Sequence, residues 1–120
     1  RDTHVFLIML HVLFYSDTST TEIYTLTLRD ALPISRGSTF DLTIINLASD
    51  EDLDMGTGWD FFDVMSWPSS NRVTAAQAAN RMRLRTIMLE NGFRPLQEEW
   101  WHFTLKEEPF PDTYFDFVVE

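Results

Sequence analysis

Glu98-Glu99-Trp100-Trp101-His102-Phe103-Thr104-Leu105 is the stretch whose residue types could do chemistry. Glu99 stands three residues before His102, the one histidine in the last hundred positions, and both lie in a run of aromatics able to exclude water. A neutral imidazole is a standard zinc ligand, and a carboxylate beside a metal-activated water is the usual general base of a hydrolytic zinc site. The same residues also read as a buried strand in which His102 merely bonds a backbone carbonyl, and the motif alone does not separate the two. Spacing adds a constraint. In a regular strand, positions an odd number apart face opposite ways, so Glu99 can share a site with His102 only from the start of the strand, outside the pleat, where the turn after Pro95 could place it.

A second piece of such a site must come from elsewhere in the chain. Thr39-Phe40-Asp41-Leu42-Thr43-Ile44-Ile45-Asn46-Leu47 follows a glycine turn and is a β-branched run of strand length. Asp41 shares a face with Thr43 and Ile45, while Phe40, Leu42 and Ile44 take the other. A carboxylate in a mostly buried strand needs a cation, a donor or a metal. Downstream, Ala48 to Asp54 reads as a solvated acidic loop, because Leu53 and the missing glycine and glutamate spoil a calcium-loop template. Met55-Gly56-Thr57-Gly58-Trp59-Asp60-Phe61-Phe62-Asp63 then supplies two glycines and two more acids. Asp60 and Asp63 read either as turn and capping residues or as the lining of a site for a positively charged group.

One helix is expected, over Ala75 to Asn91. Thr74-Ala75-Ala76-Gln77 is a capping-box pattern, and Gly92 stands where a left-handed cap would close it. Its apolar positions fall in two stripes, Ala75, Ala78, Ala79, Met82 and Leu89 on one and Leu84, Ile87 and Met88 on the other, which predicts packing on two sides. Arg81, Arg83 and Arg85 lie on different faces and read as solvated or ion-paired. Trp100 to Leu105 reads as a strand, and Tyr114-Phe115-Asp116-Phe117 as a last short one.

Composition bounds the function. The 120 residues make one domain, with ten Phe and four Trp for a core. A net charge of -10, from nineteen acids against nine Lys and Arg, argues against nucleic acid or an anionic membrane as partner. There are no cysteines, which removes disulfides and thiolate metal sites without choosing a compartment. The apolar run from Val5 to Phe14 is shorter than the roughly 20 residues that span a bilayer. His11 and the absence of a small-residue cleavage pattern after Phe14 weigh against a signal peptide. Asp17 to Ile34 is threonine-rich without a clear period; it resembles translated sequencing-adapter sequence, the alternative being a genuine amino-terminal strand. Residues 1–34 are therefore expected to be a non-family segment.

From Ser35 onward the chain resembles the zinc D-alanyl-D-alanine dipeptidases, the VanX type within the D-Ala-D-Ala metallopeptidases. The resemblance rests on Ser35-Arg36-Gly37-Ser38-Thr39-Phe40-Asp41-Leu42-Thr43, on Met55-Gly56 with Trp59-Asp60-Phe61, on Asn80-Arg81 with Asn91-Gly92-Phe93, on Glu99-Trp100-Trp101-His102 and on Tyr114-Phe115-Asp116-Phe117. It implies an α+β fold, with one long helix packed on a small antiparallel sheet built from the Phe40, Trp100 and Tyr114 strands. It also implies one zinc ion with Asp41 and His102 as ligands, Glu99 as base, and Asp60 beside the free amino group of a small dipeptide substrate. The family's first histidine ligand falls on Ile34, which cannot bind zinc, and the family's upstream arginine has no counterpart in residues 1–33. Thr39 replaces the alanine usual in the motif. The expectation is an impaired carboxy-terminal portion of a peptidase that hydrolyses D-Ala-D-Ala. The alternatives are a D,D- or L,D-carboxypeptidase of peptidoglycan stems, separated by substrate length, and a non-catalytic metal-binding module, which would have no use for a base at Glu99.

Overall fold

The computed structural model describes residues 6–11 and 36–115 of the chain. Five strands form one antiparallel sheet: β1 (Phe6–His11), β2 (Thr39–Asn46), β3 (Glu51–Asp52), β4 (Phe93–Pro95) and β5 (His102–Leu105). They run in the order β1-β2-β5-β4, with β3 paired to the far end of β2. Among the described residues one α-helix, α1 (Ala75–Glu90), completes the α+β architecture expected from the sequence. No described helix is long and apolar enough to cross a membrane.

β2 is the centre. Residues 41–45 are all buried, so the strand is covered on both faces, and its β-branched content suits that environment. Leu42 and Ile44 join Met55, Leu84, Met88, Trp100, Trp101 and Phe103 in the core. The polar face carries Asp41 and Thr43. β5 pairs with β2 so that Asp41 lies directly across from His102 and Thr39 across from Thr104. The two threonine hydroxyls are bonded to each other at 3.2 Å. On the other side, β1 pairs Phe6 with Asn46 through to His11 with Asp41.

The helix begins as expected. Thr74 accepts from the Gln77 amide at 3.2 Å, and the Gln77 side chain accepts from the Thr74 amide at 2.9 Å, closing the capping box. Gly92 takes φ +86, the left-handed value that a glycine tolerates best.

Several expectations are corrected. α1 buries one side: Leu84 and Met88 are in the core, whereas Met82 and Leu89 of the alanine-bearing stripe are 52% and 39% exposed, because among the described residues a single sheet layer covers the helix. Arg81 is neither solvated nor ion-paired; it is buried and bonded to main-chain carbonyls. The acidic loop after β2 contributes β3, because Glu51 and Asp52 turn back to pair with Asn46 and Ile45. β5 begins at His102 rather than Trp100, and Phe93–Pro95 forms an unforeseen edge strand on it. Pro95 fits there, since an edge position does not demand its missing amide. Tyr114 is exposed and outside any strand, and Asp116 and Phe117 of the expected last strand lie outside the described residues, as does the segment from 12 to 35 with Ile34.

Candidate metal and acid-base site

Asp41, Glu99 and His102 meet at one point of the sheet. Their ligating atoms all lie within 4.8 Å of one another. Asp41 and His102 arrive by strand register, as directly opposed residues of β2 and β5. Glu99 comes from the turn that precedes β5, outside the pleat. That turn is held by Leu96, whose amide donates to the His102 carbonyl at 3.0 Å, and by Leu42, whose amide donates to the Trp101 carbonyl at 2.9 Å. His102 Nδ1 is 3.0 Å from Asp41 Oδ1 and 3.4 Å from Glu99 Oε2.

The surroundings are dry on one side and acidic on the other. Trp101 is fully buried and packs edge-on against Trp100 at 5.4 Å and Phe62 at 6.3 Å between ring centroids. Burial of Glu99 itself pushes its carboxyl up to about 7; the charge of His102 opposes the rise, and those of Asp41, Asp60 and Glu98 add to it. Asp60 is raised too, first by desolvation and then by Asp41, with His102 pulling it down. Asp60 therefore stands within electrostatic reach of the cluster while lying outside the group of three ligand atoms. Three carboxylates around one imidazole leave an excess of negative charge, the environment that favours a cation.

The donor set fits zinc. Ligand atoms about 2.0–2.1 Å from a tetrahedral zinc lie roughly 3.3 Å from one another, and Asp41 Oδ1 and His102 Nδ1, the two ligand candidates, are 3.0 Å apart. One imidazole and one carboxylate are hard-to-borderline donors of the kind catalytic zinc sites use, with a second carboxylate adjacent.

Asp63, the other acid weighed with Asp60, is a capping residue: its carboxylate accepts from the Met65 amide at 2.8 Å and from exposed Arg72 at 3.1 Å. Gly56 is a genuine close approach, at φ +86, where an added Cβ would lie 2.9 Å from both Gln77 Oε1 and Val73 Cγ1. Gly58 has nothing within 4 Å of the same position. A cavity of about 500 Å³ is lined by Thr43, Asp52, Asp54, Thr57, Trp59 and Trp100 among others, and by none of Asp41, Asp60, Glu99 and His102.

Residue types alone do not mark the hydroxyl chain that ties Trp100 to the loop carrying Asp60. Trp100 Nε1 donates to Thr57 Oγ1 at 2.8 Å, Thr57 and Ser66 hydroxyls are 3.1 Å apart, and Ser66 Oγ donates to the Phe61 carbonyl. Small hydroxyl residues in a loop carry little sequence signal, whereas Arg81 sat beside Asn80 in a motif and was open to notice.

A buried carboxylate beside a carboxylate-histidine pair across two strands is a group that could hold a metal ion, as metallopeptidases require. The comparisons with known proteins agree. The sequence pattern of the peptidase M15 family, D-Ala-D-Ala dipeptidase, matches residues 15–120, and the chain belongs to that family. It is 52% identical over 85 residues to a D-alanyl-D-alanine dipeptidase of Streptomyces coelicolor, covering 71% of this chain and 42% of the relative. An Enterococcus faecium protein of the same name is 45% identical over 86 residues, 72% of this chain and 43% of the relative. One from Escherichia coli K12 is 40% identical over 73 residues, 61% and 37% of the two chains. The chain thus spans less than half the length of these relatives.

Proposed function

We propose that this chain carries the base and two ligands of a zinc site for hydrolysis of the D-Ala-D-Ala dipeptide. The observation that carries the reading is the convergence of Asp41, Glu99 and His102 within 4.8 Å. Asp41 and His102 would hold one zinc ion, which supplies Lewis-acid activation of water and of the peptide carbonyl when bound. Glu99 takes the proton of the attacking water and delivers it to the leaving amine. Its carboxyl, raised to about 7, is matched to that exchange near neutrality. Trp100 and Trp101 exclude bulk water from the transfer. Asp60 receives the substrate's free ammonium, which relieves the repulsion it feels from Asp41.

The site is short of a ligand. A catalytic zinc keeps three protein ligands and an open position, and Ile34, at the family's first-histidine position, has no lone pair to offer. Weak zinc binding and little or no turnover follow. The test is zinc stoichiometry by equilibrium dialysis with release of D-alanine from D-Ala-D-Ala, on the purified chain and on Ile34→His. The substituted chain should gain zinc affinity. Tight one-to-one zinc with full turnover in the parent chain would overturn the incomplete-site reading. Absence of any zinc binding in both chains would overturn the site itself.

A further inference from the structure

Arg81 is the most unusual charge in the molecule. It lies in α1, is 1% exposed, and desolvation pulls its pKa down. None of its three side-chain hydrogen bonds goes to a carboxylate: Nε donates to the Met55 carbonyl at 2.6 Å, and Nη1 donates to the carbonyls of Met65 at 2.9 Å and Trp67 at 3.0 Å. Burying a guanidinium on neutral acceptors is costly compared with an apolar side chain of the same volume. The arrangement gains something an apolar side chain cannot offer, because a planar fork draws carbonyls from separated parts of the chain to one point.

Those carbonyls bracket one segment. Met55 lies at its beginning, Met65 and Trp67 at its end, and Asp60 in its middle. Asp60 has φ +54, a left-handed turn conformation that aspartate tolerates better than most non-glycine residues. The same segment is tied to the turn carrying Glu99: the Trp100 amide donates to the Ser66 carbonyl at 3.1 Å, and the Trp100 indole donates to Thr57 at 2.8 Å. The position of this loop therefore sets the position of Asp60 relative to Glu99 and His102.

We propose that Arg81 is a positioning residue for substrate recognition: by pinning both ends of the Met55–Trp67 loop it holds Asp60 at the edge of the Asp41–Glu99–His102 cluster, and so makes the site prefer a peptide with a free amino end over a blocked one. This rests on the reading of Asp60 given under the proposed function. Arg81 touches neither metal nor substrate.

The test uses the full chain with zinc, as the parent and as Arg81→Lys, Arg81→Met and Asp60→Asn. Amide hydrogen exchange reports the loop from Gly56 to Ser66 against α1. Calorimetric titration compares D-Ala-D-Ala with N-acetyl-D-Ala-D-Ala. In Arg81→Lys, which keeps the charge and loses the fork, loop exchange should rise about tenfold with α1 unchanged, and the preference for the free amine should fall about tenfold, the scale of one lost charge-assisted hydrogen bond. Affinity for the acetylated peptide should stay where it was, a result that general destabilisation would not give. Asp60→Asn should abolish the preference while leaving loop exchange alone. The proposal is overturned if both Arg81 variants keep the parent's loop exchange, or if exchange rises and the preference stays. It is also overturned if Arg81→Met fails to fold and Arg81→Lys behaves as the parent. A parent chain without the preference, or an Asp60→Asn chain that retains it, overturns the assignment of Asp60 itself, whatever Arg81 does to the loop.

Discussion

Glu99→Gln should stabilise the metal-free protein, and by an amount that depends on pH. The folded chain raises the Glu99 carboxyl from an ordinary 4.5 to about 7 by burying it among other acids. At about 1.4 kcal/mol per tenfold in proton affinity, ionising it in the folded state costs about 3 kcal/mol. A raised carboxyl binds its proton more tightly when folded. Its contribution to stability is fully present below pH 4.5 and is lost as pH rises through 7. Glutamine has the shape of the protonated acid and no charge to lose. Urea unfolding followed by tryptophan fluorescence, with chelator present, should make Glu99→Gln more stable than the parent by about 3 kcal/mol at pH 8 and by less than about 1 kcal/mol at pH 5. With zinc in place of chelator the difference at pH 8 should shrink, because a nearby cation favours the ionised carboxylate. A difference that stays constant from pH 5 to 8, or a glutamine variant less stable at pH 8, would refute the account of the site as a desolvated acid beside like charges.

The remaining predictions address the ligands and the scaffold. His102→Ala and Asp41→Ala should each lower zinc affinity by roughly tenfold or more, measured by competition with a chromophoric chelator, since each leaves a single ligand beside Glu99; unchanged affinity in both would place the metal elsewhere. Thr74→Ala opens the capping box of α1 and should cost about 1 kcal/mol of stability in urea unfolding. Leu84→Ala, at a core position with 0% exposure, should cost about 2–5 kcal/mol. Gly56→Ala should destabilise by more than an ordinary surface substitution, because it combines a φ of +86 with a Cβ 2.9 Å from Val73 and Gln77.

Much of this protein is legible in the order of its residues. The helix is marked at both ends by local chemistry, Thr74 with Gln77 and then Gly92, so its limits are readable without knowing what it packs on. The β2 strand is marked by its β-branched run. The requirement that Glu99 leave the pleat to join His102 follows from strand period alone, and the turn before β5 satisfies it. The family follows from motifs whose spacing is local, and the relatives carry it over 85 residues.

Tertiary structure decided what depends on neighbours far along the chain. Asp41 and His102 are 61 positions apart, and only the β2–β5 register makes them opposite residues. The same holds for the elevated Glu99 carboxyl, which reflects burial first and, among the acids that add to it, Asp41 and Asp60 brought in from separate segments. α1 has two apolar stripes by periodicity, yet one faces the sheet, since periodicity reports which faces could be buried and the available partners determine which one is. Arg81 shows the limit most plainly. Its place in an acidic chain suggested a solvated charge, but carbonyls from a loop some 14 to 26 positions away gather around it. A backbone carbonyl belongs to every residue alike, so no residue type announces that it will accept from a buried arginine; only the path of the folded chain brings three of them to one point.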